Sequence, residues 1–84
     1  MSGGHFDYKQ YHIGDIAEQI ERLIEENGQV DYRTWSEATI EEFKTAVASL
    51  RLASVMVQRI DWLVSGDDSE KSFHERLEED LDKL

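Results

Sequence analysis

Three histidines, His5, His12 and His74, are the first residues to ask for chemistry. His5 and His12 flank Asp7, but nothing around them has a recognised ligand spacing. They read as surface or partly packed side chains, and no metal is expected. The acidic stretch "SGDDSEKS" has neither the alternating ligands nor the central Gly and terminal Glu of a calcium loop. Ser72 and His74 are neighbours, yet a helix would point them in different directions. The chain has no Cys, which removes thiol nucleophiles, disulfides and Cys-based zinc sites. Gly3-Gly4, Gly14, Gly28 and Gly66 do not form a phosphate-cradling loop, and the last three read as helix punctuation. No constellation for catalysis appears, so the chain is not expected to be an enzyme or to need a cofactor.

The aromatic residues offer more. Tyr8, Tyr11, Tyr32, Trp35 and Trp62, with Lys9, Arg33, Arg51 or Arg59, could stack a planar base and hold a phosphate across a subunit boundary. The candidate ligand pocket is Tyr8, Tyr11, Arg59 and Trp62. The competing reading is that these aromatics are core and interface residues.

These side chains must be positioned by helices. "GDIAEQIERLIEENG" carries Ile16, Ile20, Leu23 and Ile24 as one apolar stripe. Asp15 with Glu18 suggests an N-cap and capping box, and Asn27-Gly28 a stop, predicting a helix over 16–27. A second helix is predicted over 37–65, capped by Ser36, with Trp35 stapled to Ile40, or by Thr39 with Glu42. Phe43, Leu50, Val57 and Val64 recur every seven residues, with Ala46, Ala53 and Ile60 between them, an a/d seam over three heptads. Ile40, Val47, Val55, Met56, Trp62 and Leu63 are apolar outside that seam, so this helix is greasy nearly all round and should be buried. A third helix is predicted over 69–82. Its candidate caps are Asp67 (spaced to Glu70 as a capping box), Asp68 and Ser69, and its apolar line is Phe73, Leu77, Leu81 and Leu84. "HFDYKQYHI" is half a strand pattern with no partner strand, and is read as an extended arm, residues 1–14, whose aromatics fill a groove. In "QVDYRTW", Val30, Tyr32 and Trp35 should tuck inward. The expected architecture is one all-α domain over 1–84: three helices with a long central one.

Eighty-four residues make a small core, and such chains usually need help from disulfides, metal or oligomerisation. Two flanking amphipathic helices cannot cover the whole central helix. Burying each large apolar side chain left over would contribute roughly 1.5–3 kcal/mol. A homodimer or higher symmetric assembly follows, with Val55, Met56, Trp62 and Leu63 as candidate interface residues. The alternative is a monomer sealed by its arm and the 28–38 loop.

Net charge is −10, from 19 acids and 9 bases. Residues 15–28 carry −4 and 67–84 carry −5, while 29–66 carry only −1. No basic stripe exists for a nucleic-acid backbone, and an anionic membrane is disfavoured for the same reason. No apolar run is long enough to span a bilayer, and "MSGGHFDYKQ" is not a signal peptide, so a cytoplasmic location is expected. The acidic outer helices suit a basic protein partner, or serve only as a solubilising surface.

"GHFDYKQYHIGDIAEQIERLI" together with "VQRIDWLVSGDDSEKSFHERLEEDL" resembles a group of short proteins encoded by bacteriophages, prophages and related bacterial loci. The resemblance carries no activity or site residue over to this chain. What it implies is a small accessory or inhibitor protein that acts by binding. The leading expectation is therefore a non-catalytic, homo-oligomeric interaction protein. The runner-up is a small-ligand or nucleotide-binding module with its pocket at a subunit boundary.

Overall fold

The computed structural model describes residues 6–29 and 34–84. It is all-α, with helices α1 (Tyr11–Glu25), α2 (Glu37–Val64) and α3 (Glu70–Asp82). His5, Val30, Tyr32 and Arg33, singled out above, lie outside the described residues.

α2 is a single unbroken rod of 28 residues. Its start is settled in favour of Ser36, whose side chain accepts a hydrogen bond from the Thr39 N–H, satisfying a donor the first turn leaves orphaned. Trp35 precedes it and its ring packs on Phe43, with centroids 5.1 Å apart. Asn27 ties α1 to this start. Its amide oxygen accepts from the Trp35 N–H at 2.8 Å and its amide nitrogen donates to the Trp35 carbonyl at 3.3 Å. Gly28 and Gly66 both have positive φ, 84° and 88°, which lets the chain leave α1 and α2 without a Cβ clash.

α3 begins one residue later than expected. Neither Asp67 nor Asp68 caps it. Ser69 and Ser72 form a reciprocal box, each hydroxyl accepting from the other's N–H. Asp68 is thereby left to bond elsewhere.

The first helix is the clearest departure. It begins at Tyr11, so Asp15 lies within the helix and caps nothing, and residues 11–14 of the expected arm are helical. Nor are residues 6–10 extended; they form tight turns, with the Lys9 N–H bonded to the Phe6 carbonyl. Gln10 is the cap position but provides no side-chain cap. Its side chain instead reaches α2, and that tertiary anchor moves the helix start upstream of the local signal. Gly14 is therefore interior to α1 and not punctuation. A Cβ there would meet nothing nearer than the Ser54 Oγ at 4.0 Å, an ordinary contact. Gly14→Ala is expected to stabilise the fold by about 0.5–1 kcal/mol, by removing backbone freedom from the unfolded chain. A urea midpoint that stays put or falls would refute this.

α1 and α3 each pack on α2 and not on each other. The result is elongated, 50 × 25 × 13 Å, with a radius of gyration of 16.2 Å. A compact chain of this length has about 12 Å. With two helices on separate flanks and none closing over them, the only fully buried apolar residue among those described is Ala17.

Candidate functional site

Three polar arrangements and one open apolar face define what the molecule offers.

The first arrangement latches the N-terminal turn to α2. Asp61 is 0% exposed. Its carboxylate accepts from the Phe6 N–H at 3.2 Å and from the Gln10 amide nitrogen at 3.2 Å. The same Gln10 nitrogen donates to the Gln58 side-chain oxygen at 3.1 Å. Two acceptors on one side fix which way the Gln10 amide faces, because a flipped amide would set oxygen against the carboxylate. Its own oxygen is buried without a hydrogen-bond partner among the described residues. Asp7 and Tyr8, just inside the latch, have φ of 57° and 61°. Left-handed backbone costs a non-glycine residue roughly 1–2 kcal/mol, so the contacts to Asp61 must hold it.

The second arrangement clamps α3 to α2. The Arg59 guanidinium donates to Asp80 at 2.7 Å and approaches Asp68 at 3.5 Å, and Arg76 donates to Asp68 at 2.8 Å. Arg59 also lies over the Trp62 ring, 4.4 Å from its centroid. The Arg59 and Asp68 side chains are 12% and 1% exposed, so these charges are largely out of water.

The third arrangement is a shallow groove of about 370 Å³ between the start of α1, α2 and the end of α3. Tyr11, Gln10, Ser54, Gln58, Trp62 and Asp80 line it, with Val55 beside them. Tyr8 and Tyr11 stack at 6.2 Å with nearly parallel rings, and both are exposed. The expectation that the arm's aromatics fill a groove holds for neither tyrosine; Phe6 alone is partly covered, near Ile13 and Val57.

The open face belongs to α2. Its only fully buried residue is Asp61. Six of the seven residues of the heptad seam are half-buried, and Val64 at its end is 51% exposed. Leu52 and Met56, 43% and 39% exposed, project from another side of the helix, off that seam. Of the four candidate interface residues, Met56 is therefore exposed, while Val55, Trp62 and Leu63 are half-buried.

Of the candidate pocket residues, Tyr11 and Trp62 share the groove, Tyr8 stacks on its rim, and Arg59 is turned to Asp68 and Asp80. Arg51 is likewise engaged, with Glu21. Sequence reasoning missed Gln10, Gln58, Asp61 and the role of Asp68. The one available signal was Asp61 itself, a lone acid in the apolar run "RIDWLV". Among the described residues, no group of three His, Asp or Glu side chains is placed to hold a metal ion. No helix among them is long and apolar enough to cross a membrane. No family model, curated protein or solved structure matches the chain.

Proposed function

We propose that this chain is a non-catalytic interaction protein that works as a homo-oligomer and binds another macromolecule. It would be an accessory or inhibitor protein of the kind phage-type loci encode, acting in the cytoplasm. The observation that carries the reading is that α2 exposes the large apolar side chains of Leu52, Met56 and Val64, beside a core whose only fully buried apolar residue is Ala17 among those described. Large apolar side chains left exposed beside so small a core favour an interaction surface. The outer helices support a basic partner. Asp15, Glu18 and Glu25 on α1 and Glu70, Glu75, Glu78, Glu79 and Asp82 on α3 are exposed, with no ion pair among the described residues.

Sedimentation over a hundredfold range of concentration (roughly 1–100 μM) tests the self-association. The expected result is a mass above that of one 9.8 kDa chain, falling on dilution. A single-chain mass throughout would overturn the reading.

A second reading is favoured by one observation: the fold brings Tyr11 and Trp62 into one groove with the Gln10 and Gln58 amides. That wall suits a small planar ligand. With Arg59 committed and Asp80 on the wall, an uncharged or cationic ring fits better than a phosphate. A melting scan separates the readings. A nucleoside that raises the melting temperature, with the shift lost in Tyr11→Ala, would favour the ligand module.

A further inference from the structure

We infer that Asp61 is the receptor for an arginine side chain of a basic protein partner, and that residues 6–10 occupy its place in the free chain. This rests on the reading of the chain as a binder of a basic macromolecule, and names the pocket and the side chain it takes.

Three observations carry it. The first is charge. Asp61 is 0% exposed and makes no ion pair among the described residues. The other buried acid, Asp68, is held by two arginines. A carboxylate taken out of water is ordinarily paired with a cation, because neutral donors replace only part of its hydration.

The second is geometry. One Asp61 oxygen accepts from the Phe6 N–H and the other from the Gln10 amide nitrogen, each at 3.2 Å. One N–H on each carboxylate oxygen is the pattern of a guanidinium fork. The Gln58 side-chain oxygen, 3.1 Å from the same Gln10 nitrogen, adds a third acceptor for the five N–H groups of an arginine. A lysine ammonium has no planar fork to match it. Charged donors come to about 2.7–2.9 Å from such oxygens, closer than the neutral pair now there. Ile13 and Val57 line the opening beside the turn, apolar walls for the methylene stem of an arginine, and Lys9 would leave with the turn.

The third is the poor fit of the present occupant. Asp7 and Tyr8 hold left-handed backbone, φ 57° and 61°, and the Gln10 side-chain oxygen is buried without a hydrogen-bond partner among the described residues. Both costs are relieved when the turn swings away, so an arriving guanidinium displaces a strained and incompletely bonded segment.

The probe is a blocked tripeptide with a central arginine, titrated into the isotope-labelled full chain and followed by NMR. Matched peptides carry lysine or citrulline, the neutral isostere, in its place. The arginine peptide is expected to shift the Phe6 N–H and Gln10 side-chain amide signals and to lower exchange protection over residues 6–13. The lysine and citrulline peptides should bind at least about fivefold more weakly. Asp61→Asn, which removes the charge, should lose the preference for arginine. Gln10→Ala removes a competing donor and should bind the arginine peptide about threefold tighter, because more of the chain is then open to it. Weaker binding by Gln10→Ala, or arginine binding that leaves the Phe6 and Gln10 signals in place, would overturn the inference. Equal binding of the arginine and lysine peptides along the acidic faces of α1 and α3 would overturn it while the basic-partner reading stands. No binding of either cationic peptide would remove both.

Discussion

Replacing Arg59 with alanine is expected to cost about 3 kcal/mol and to loosen α3 before the rest of the fold. Arg59 holds Asp80 on α3 and Asp68 at the α2–α3 turn, and its guanidinium covers the Trp62 ring. The Asp68 side chain is 1% exposed, so removing Arg59 leaves a desolvated carboxylate held by Arg76 and the Ser72 hydroxyl. That asymmetry sets the sign, because an abandoned buried charge costs more than the pair contributed when intact. Arg59→Lys should recover less than half. An ammonium cannot span Asp80 and Asp68 with a planar fork while stacking on the indole. Urea unfolding gives the total, and hydrogen exchange over 70–82 locates it. Unchanged protection of α3 in Arg59→Ala would show that its apolar line, Phe73, Leu77 and Leu81, holds it unaided.

Asp61→Leu is expected to cost about 2 kcal/mol and to release the N-terminal turn. The Phe6 N–H and the Gln10 amide both donate to this carboxylate, and both would keep their donors in place with the acceptors gone. Removing the charge relieves its desolvation, which works the other way. Taking this acceptor from the Gln10 amide in a buried site and from the Phe6 N–H in a part-buried one outweighs that relief, since a buried donor deprived of its acceptor costs about 1–3 kcal/mol. The strained backbone of Asp7 and Tyr8 then has less to hold it, so residues 6–13 should lose exchange protection together and α1 should fray back toward Asp15. Asp61→Asn keeps one acceptor and should show a smaller loss of the same kind. Equal stability for Asp61→Leu and wild type would mean that the turn is held by packing and not by this latch.

The two variants also bear on function in different ways. Asp61→Leu disturbs Gln10 and Tyr11, and so the groove, while leaving the seam of α2 intact. Arg59→Ala disturbs Asp80 and Trp62 on the other wall. If the protein works through self-association and not through the groove, both should keep the wild-type oligomer at temperatures where they remain folded.

The limits of α2 and α3 were legible to within a residue, because their signals are local. Ser36 and Ser69 cap from beside the first turn, and Gly28 and Gly66 provide the positive φ that leaves α1 and α2. The heptad seam was legible for the same reason, since periodicity is a property of one segment. The start of α1 was not. Asp15-Glu18 is a sound local cap, but Gln10 bonds to Asp61, 51 positions away, and that contact draws the helix start five residues further upstream. Asp68 read as a cap because nothing nearby reveals that Arg59 and Arg76 converge on it.

By itself, then, the sequence determined three helices, their order, the greasy circumference of the middle one and the acidic dress of the outer two. Only the tertiary structure decided which part of that circumference stays open. Local periodicity says which side chains seek cover. Which of them receive it depends on where α1 and α3 come to rest, and that is set by Gln10 on Asp61 and by Arg59 on Asp68 and Asp80, polar contacts between residues far apart along the chain or across a turn.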